Sequence, residues 1–279
     1  MLPTQLLAFG FGYVATELAR ILKADGVMAT GTVRSANSAE PLLAEGWNIS
    51  LWPGHDIIPP DNAAWLISVP PDEAGCPVFR AFEAQASSGS WLGSLSTTGV
   101  YGDLGGGWAF EETPLNPQSR EAINRARAEE QWLSLGANVF RLPGIYGPGR
   151  SALDRVREPN ARRIVKPGQV FSRAHVSDIA GALRLAMMMK SPEHIFNICD
   201  DEPAPADEVL VHAAQLLNLP PPPAVAIEDA NLSPMAQRFY AECKRVSNAK
   251  AKAALGWRPR FPTYREGLRD CLQAEAAST

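Results

Sequence analysis

The 279-residue sequence has few of the residues that build disulfide scaffolds or metal sites. It has four cysteines that lie far apart with no C-x-x-C pair, a pattern that fits neither a secreted disulfide framework nor a zinc site. Its four histidines include no pair at i, i+4 spacing. We therefore predict no metal site, and we interpret the cysteines as reduced thiols of a cytoplasmic protein.

Long apolar runs and an excess of positive charge are also absent. No run approaches the roughly eighteen apolar residues that cross a bilayer. The first basic residue is Arg20, and Gly10 and Gly12 interrupt the apolar stretch before it, so we expect neither a signal peptide nor membrane association. With 26 Lys+Arg against 30 Asp+Glu the formal charge is −4, which argues against a nucleic-acid partner.

Short apolar runs alternate with helical patterns over the first 143 residues. The predicted strands are Leu6–Phe9, Val27–Val33, Trp47–Leu51, Trp65–Val69, Trp91–Leu95 and Val139–Leu142. The predicted helices are Val14–Leu22, Val78–Ser88 and Arg120–Leu135. Strands separated by helices of this length pair in parallel through crossover connections. The sequence thus predicts an α/β fold with a Rossmann-type, doubly wound parallel sheet.

The regular alternation ends at the Pro/Gly-rich segment 143–149, and a second lobe is predicted beyond it. Residues 1–143 form the predicted dinucleotide-binding core, completed by 176–200, while 144–175 and 201–279 form a smaller substrate lobe. Later predicted elements are a strand at Ile195–Ile198 and helices at Val176–Met189, Asp207–Leu217, Pro234–Glu242, Asn248–Leu255 and Tyr264–Ala274.

Residues 10–15 read G-x-G-x-x-A between the first strand and the first helix, where this pattern binds phosphates. Its first glycine allows a tight turn, its second lets a pyrophosphate approach the backbone, and its alanine lets the helix pack closely. The free N–H groups of the helix N-terminus favour an anion. A tight turn that binds nothing is the alternative. The cofactor-binding residues predicted here are Gly10, Phe11, Gly12, Tyr13 and Val14.

The end of the second strand favours NADP(H) over NAD(H). Enzymes that bind NAD usually place an acid there for the ribose hydroxyls, but no acid lies between Asp25 and Glu40. Arg34 follows Gly12 by 22 residues instead, and its guanidinium can pair with a 2′-phosphate. Arg34 and the adjacent Ser35 are therefore also predicted to bind the cofactor. An ordinary solvated loop arginine is the alternative for Arg34.

Six motifs in the right order resemble the short-chain dehydrogenase/reductase superfamily, in its atypical, extended-like branch of NAD(P)-dependent epimerase/dehydratase proteins. They span residues 10–15, 68–71, 95–102, 141–150, 173–180 and 196–203. The resemblance implies a Rossmann fold whose cofactor lies across the carboxyl ends of the strands. It adds Ser68, Val69, Pro70, Ser96 and Pro143 to the predicted cofactor site.

Catalysis in that family uses a Ser or Thr, a Tyr, and a Lys four residues after the Tyr. Thr97 matches the hydroxyl position, but the helix that should carry the other two contains neither. If Glu130 is aligned with the glutamate that follows the pair in the family, Ala122 and Ala126 stand at the Tyr and Lys positions. A shift of one residue puts Glu121 and Arg125 there.

Tyr101 is the nearest phenol to the expected site, and it stands with Thr97 as a candidate catalytic residue. Arg125 or Arg127 could hold a ribose or a carboxylate, but arginine is a poor acid or base because it stays protonated. Both arginines could equally be surface residues paired with neighbouring glutamates.

Two functions remain open. One is an NADP(H)-linked oxidoreductase or epimerase/dehydratase-like enzyme that acts on a small polar substrate, such as a nucleotide sugar or a carbonyl compound. The other is a non-catalytic NADP-binding sensor or assembly partner. The expected partner is a small-molecule substrate, and the protein could also form a homodimer.

Overall fold

A computed structural model describes residues 1–189 and 194–277 of the chain. The strands are β1 (Gln5–Phe9), β2 (Met28–Val33), β3 (Asn48–Leu51), β4 (Ala64–Ile67), β5 (Trp91–Thr97), β6 (Trp108–Ala109), β7 (Asn138–Leu142), β8 (Gly144–Tyr146), β9 (Arg163–Val165), β10 (Arg173–His175), β11 (Ile195–Asn197), β12 (Ala224–Ala226) and β13 (Arg245–Val246). The α-helices are α1 (Tyr13–Ala24), α2 (Ala36–Ala44), α3 (Pro77–Ala86), α4 (Arg120–Leu133), α5 (Ala152–Arg157), α6 (Val176–Met188), α7 (Ala206–Leu216), α8 (Pro234–Ala241), α9 (Ala249–Ala254) and α10 (Tyr264–Ala277). Two 3₁₀ turns cover Thr98–Tyr101 and Ile227–Asp229.

Seven parallel strands form the central sheet, in the order β11-β7-β5-β4-β1-β2-β3. The predicted Rossmann-type doubly wound sheet is confirmed. Strand β1 pairs with β2 on one side and with β4 on the other, so the strand order reverses between β1 and β4. Ligands of open α/β sheets bind outside the carboxyl ends of the strands at such a switch point.

Alternating side chains of β1 supply two hydrophobic cores. Leu6 and Ala8 are buried in the core under α1 and α6, which pack against each other. Leu7 and Phe9 are buried on the opposite face, in the core that includes residues of α3 and α4. Helices cover both faces of the sheet, as a parallel sheet with continuous apolar strands requires.

A separate hydrophobic cluster organises the segments after β7. It joins α5, α7 and α10 through buried side chains that include Leu153, Val209 and Leu268. The short parallel pairs β8–β10, β9–β12 and β6–β13 connect these segments to one another and to the loop after β5. Of the ranges predicted for the core and the substrate lobe, residues 190–193 and 278–279 lie outside the described residues.

The sequence predicts no helix between β2 and β3, but α2 is present there. This helix buries only Ala39 and contains Pro41, so its apolar periodicity is weak. Its N-terminus is capped by Ser35, whose Oγ accepts a hydrogen bond from the Ser38 N–H at 3.3 Å. The first turn of α2 therefore starts directly after Arg34, at the carboxyl edge of the sheet.

The four cysteines all lie within the described residues, and none of them forms a disulfide. In the same part of the chain no cluster of histidine, cysteine and acidic side chains could hold a metal ion. No described helix is long and apolar enough to span a bilayer.

Candidate functional site

The turn between β1 and α1 needs glycine at position 10 for a structural reason. Gly10 has a φ of +89°, and a Cβ atom there would lie 3.1 Å from backbone atoms of Ser68 and Val69. Its N–H donates a hydrogen bond to Thr32 Oγ1 at 3.2 Å. Gly10 thus lets the loops after β1 and β4 approach each other at the switch point.

Gly12 differs from Gly10, because the space around its Cβ position is open. It is the N-cap residue of α1 in an extended conformation, with φ −101° and ψ −163°, and no side chain caps the helix. A Cβ atom at Gly12 would meet nothing within 4 Å. The first N–H groups of a helix have no partner within it, so this N-terminus presents uncapped donors to an accessible surface.

The aromatic side chains beside Gly12 hold the turn in place. Phe11 donates its backbone N–H to the Thr32 carbonyl at 2.7 Å, and its buried ring contacts Trp47. Gly31 makes this packing possible, since a Cβ there would lie 2.2 Å from the Phe11 ring. Both the ring and the backbone N–H of Phe11 are therefore occupied within the protein.

Tyr13 and Val14, at the start of α1, also direct their side chains away from the open space. The Tyr13 hydroxyl donates to the Pro148 carbonyl at 3.0 Å, and Val14 is buried in the core. Tyr13 thereby ties the turn to the loop after β8. A cofactor contact by either residue would use its backbone N–H.

Arg34 follows β2 with an exposed side chain, and no described residue forms an ion pair with it. Its neighbour Ser35 is occupied as the N-cap of α2, where its hydroxyl also lies 2.9 Å from the Ser38 hydroxyl. At the end of β2, the guanidinium is free to pair with an anion that the protein itself does not supply.

On the other side of the switch point, Ser68, Val69 and Pro70 follow β4, and Arg125 of α4 reaches them. Arg125 Nη1 donates to the Leu95 carbonyl at 2.7 Å and lies 3.4 Å from the Val69 carbonyl. Burial lowers the pKa of Arg125, and no carboxylate lies within ion-pair distance of it in the described part of the chain. A half-buried guanidinium held by carbonyls is therefore placed at the ends of β4 and β5.

Ser96 and Thr97, at the end of β5, point in different directions. The Ser96 hydroxyl is buried and donates to Glu129 Oε1 at 2.5 Å. The Ser96 hydroxyl proton is thus committed to a buried carboxylate, and the predicted cofactor contact of Ser96 would have to use other atoms of the residue. Thr97 is half-buried, and its Oγ1 accepts from the Gly99 N–H at 3.1 Å. The Thr97 hydroxyl can still donate its proton to a bound molecule.

Tyr101 lies beneath the site instead of in it. Its side chain is fully buried, its hydroxyl donates to Asn197 Oδ1 at 2.8 Å, and it accepts from Arg141 Nη1 at 3.0 Å. Burial raises the pKa of this phenol above its ordinary value. The enclosed hydroxyl of Tyr101 already donates within the protein, which argues against the predicted catalytic role.

A buried ion pair decides how α4 is rotated against the sheet. Glu129 and Arg141 are 2% and 3% exposed, and the Glu129 carboxylate accepts from both Nε and Nη2 of Arg141, the latter at 2.7 Å. Glu130 is exposed. The glutamate with the structural role is thus Glu129, which selects the register that places Glu121 and Arg125 at the Tyr and Lys positions.

A cavity of about 490 Å³ opens between the carboxyl end of β5 and the later segments of the chain. It has aromatic, hydroxyl and charged walls, and the rings of Phe171 and Phe239 stack 4.0 Å apart at 12°. Its lining residues are Thr97, Thr98, Gly99, Ser119, Glu121, Pro143, Gly144, Val170, Phe171, Ser172, Arg173, Arg238, Phe239, Glu242, Lys244 and Val246. Its volume suits a small organic molecule.

Sequence motifs did not single out the charged residues that the later segments bring to this cavity. Arg173 donates to the carbonyls of Phe171 and Ala204, each at 2.9 Å. Lys244 donates to the Gly102 carbonyl at 2.6 Å and to Glu242 at 2.5 Å. Arg173 lies within the motif at residues 173–180 but was not predicted as a site residue. Lys244 stands in a segment with no recognisable pattern.

Asp200 lies behind Arg173, and burial raises the pKa of its carboxyl to about 8, although Arg173 acts in the opposite direction. The folded protein therefore keeps a proton that the unfolded chain loses above about pH 4. The contribution of this group to stability is complete at low pH and is lost as the pH rises through about 8.

We accordingly expect Asp200→Asn, which cannot ionise, to gain stability relative to the wild type between pH 5 and pH 8. The gain should approach about 1.4 kcal/mol per pH unit in the free energy of unfolding. Urea denaturation at four pH values measures it, with exposed Asp61→Asn as the control. A difference between Asp200→Asn and the wild type that stays constant with pH would contradict the raised pKa.

Comparison with known proteins finds solved structures that match this chain over nearly its whole length. No family model matches the sequence. A functionally unknown conserved protein from Silicibacter pomeroyi DSS is 44% identical, covers 98% of this chain and 99% of its own length, and superposes with a TM-score of 0.92. The human epimerase family protein SDR39U1, solved with NADPH, is 15% identical over 96% of this chain and 99% of its own, with a TM-score of 0.74.

Among curated proteins, a 3-diazoavenalumate denitrifying reductase from a Streptomyces species is 32% identical over 177 residues. The alignment covers 57% of this chain and 57% of the reductase. The match thus spans little more than half the length of that relative.

Proposed function

We propose that this chain, which belongs to the family of the Silicibacter pomeroyi protein and shares the fold of the extended short-chain dehydrogenase/reductase-like epimerases, is an NADP(H)-linked oxidoreductase. The observation that carries the proposal is the pairing of an open, uncapped α1 N-terminus with a partnerless Arg34 at the neighbouring strand end. The first suits a pyrophosphate and the second suits a 2′-phosphate.

The residues present fit a nicotinamide dinucleotide. Gly12 and the first N–H groups of α1 would hold the pyrophosphate, and Arg34 the 2′-phosphate. The segment Ser68–Pro70 and Arg125 border the groove at the ends of β4 and β5. When bound, the cofactor supplies a hydride or accepts one.

Thr97 is the residue that we expect to orient the substrate. It lies in the cavity wall next to the switch point, and its hydroxyl proton is free to be donated to a substrate oxygen. Pro143 and Gly144 form the adjoining wall. A cavity that combines such a hydroxyl with aromatic and charged walls favours an enzyme over a protein that only senses NADP.

The sequence similarity to a denitrifying reductase supports reduction as the direction of the reaction. Small polar carbonyl compounds and nucleotide sugars remain the substrate classes expected from the sequence motifs. NADPH oxidation measured with a panel of acceptors separates an enzyme from a sensor, because a sensor would bind NADPH without turnover of any acceptor.

Arg34→Ala should weaken NADPH binding about tenfold or more while leaving NADH binding unchanged, because one charge-assisted contact to the 2′-phosphate is lost. Isothermal titration calorimetry with both cofactors measures the ratio. Arg162→Ala, which removes an exposed arginine of the second lobe, is the matched control. Equal losses for NADPH and NADH, or no loss for either, would remove Arg34 from the cofactor site.

A further inference from the structure

Five charged side chains line the cavity, three cations and two carboxylates, and four of them form two ion pairs. Arg238 lies 3.8 Å from Glu121 across the exposed mouth, and Lys244 lies 2.5 Å from Glu242. The fifth side chain is Arg173, and no carboxylate lies within ion-pair distance of it among the described residues. The lining therefore carries one net positive charge, and that charge belongs to Arg173.

The guanidinium of Arg173 is fixed in place and still has free donors. Its Nη1 donates to the carbonyls of Phe171 and Ala204, each at 2.9 Å, and its Cζ lies 6.0 Å from the ring centroid of Tyr264. The other N–H bonds are those of Nε and Nη2. In the described part of the chain neither nitrogen has a hydrogen-bond partner, and neither is closed off from solvent. Side by side, they present the pair of donors that a carboxylate accepts in the bidentate arrangement.

The neighbouring Asp200 does not supply the missing negative charge near neutral pH. Its carboxyl acts on Arg173 through space but lies beyond ion-pair distance. Burial raises the pKa of this carboxyl to about 8, so it keeps its proton below that pH. A partly buried guanidinium without a counter-charge is costly, and an anion that enters the cavity removes this cost.

An apolar wall stands next to this guanidinium. Phe171 precedes Arg173 by two residues, and its ring stacks on that of Phe239 at 4.0 Å and 12°. Phe239 remains 48% exposed despite this contact. A planar, apolar part of a bound molecule would cover this ring and remove it from water. The wall and Arg173 together suit a molecule with an apolar body and one negative charge.

We propose that the substrates of this protein are small carbonyl compounds with a planar, apolar body and a single carboxylate, and that Arg173 binds the carboxylate. The proposal rests on the NADP(H)-linked function given above, and it chooses between the two substrate classes left open there. A nucleotide sugar brings the charge of a diphosphate, which is more than one cation offsets, whereas a monocarboxylate leaves no charge unbalanced. Both ion pairs of the cavity keep their partners when such a substrate binds.

Two ligands of one shape test the assignment by binding, without turnover. The probes are 2-naphthoate and 2-naphthamide, which differ in the charge of one group. Calorimetry with the whole chain at about pH 6.5, where Asp200 is protonated, should show at least about tenfold tighter binding of the carboxylate, because it alone makes the charge-assisted bidentate contact. Arg173→Gln should remove this preference, and Arg162→Gln, an exposed change in the same lobe, should keep it. UDP-glucose should bind more weakly than 2-naphthoate.

A measurement on the wild type covers the case in which Arg173→Gln does not fold. 2-Naphthoate should slow the modification of Arg173 by phenylglyoxal, read by peptide mass spectrometry, and leave that of Arg162 unchanged. Equal affinities of the two probes, binding of neither, or tighter binding of UDP-glucose than of 2-naphthoate would overturn the proposal. A preference that survives in Arg173→Gln, or an Arg173 that 2-naphthoate does not protect, would do the same.

NADPH affinity is measured in parallel by the same calorimetry. If NADPH binds and the preference for 2-naphthoate is absent, the substrate class fails and the proposed function stands. If NADPH does not bind, the proposed function fails, whatever the two probes show.

Discussion

Replacing Glu129 by alanine should lower the free energy of unfolding by about 3–5 kcal/mol, because it leaves the guanidinium of Arg141 buried without its carboxylate. Arg141 is 3% exposed, and its other contacts are the Tyr101 hydroxyl and the Glu111 carbonyl, neither of which carries a compensating charge. Ser96 would also lose the acceptor of its buried hydroxyl.

The next residue along the helix supplies the control for this experiment. Glu130→Ala makes the same chemical change at an exposed position, and we expect it to change the free energy of unfolding by no more than about 0.5 kcal/mol. Urea denaturation at pH 7 measures both variants. Losses of similar size at the two positions would contradict the rotation of α4 that places Glu121 at the cavity.

Gly12→Val should weaken NADPH binding about 100-fold or more while leaving the protein folded, because a side chain there would displace the pyrophosphate from the donors of α1. Losing one or two charge-assisted hydrogen bonds of roughly 1.5–3 kcal/mol each accounts for this size. The backbone of Gly12 is extended, and its Cβ position is empty to 4 Å, so the unliganded protein accommodates a Cβ atom there.

Substitutions at two other glycines test whether the loss of NADPH binding is specific to the turn at Gly12. Gly181→Ala adds a methyl group to α6 where nothing lies within 4 Å, and it should leave both NADPH binding and stability close to those of the wild type. Gly10→Ala should instead destabilise the fold, since its φ is positive and its Cβ would press on the loop after β4. Calorimetry and thermal unfolding together measure the three variants. Undiminished NADPH binding by Gly12→Val would exclude this turn as the phosphate site.

Local sequence pattern was sufficient for most of the central sheet. Each strand from β1 to β5, as well as β7 and β11, was predicted within a few residues, because a short segment containing apolar residues marks it. Helix α2 was missed because it buries a single side chain. The short strands β6, β8 to β10, β12 and β13 were missed because two or three residues carry little periodicity.

Only part of the candidate site could be predicted, because sequence spacing does not show where a side chain points. Gly10, Gly12 and Arg34 follow one another within a single β-α-β unit, so spacing alone predicts that they meet at one edge. Tyr101 lies four residues after Thr97, yet the 3₁₀ turn between them directs the phenol into the interior. Spacing could not show which side of that turn faces the cavity.

The sequence by itself determined the parallel α/β architecture, the glycine turn between β1 and α1, the absence of an acid after β2 and the absence of a Tyr-Lys pair from α4. Only the tertiary structure decided that Glu129 is the buried glutamate and that Glu121 therefore faces the cavity. It also decided that Arg173 and Lys244 share the cavity with Thr97. The physical reason is that hydrogen bonding and apolar periodicity act over a few residues. The rotation of a helix, and the meeting of charges from distant segments, depend instead on which groups the packed core can bury with a partner.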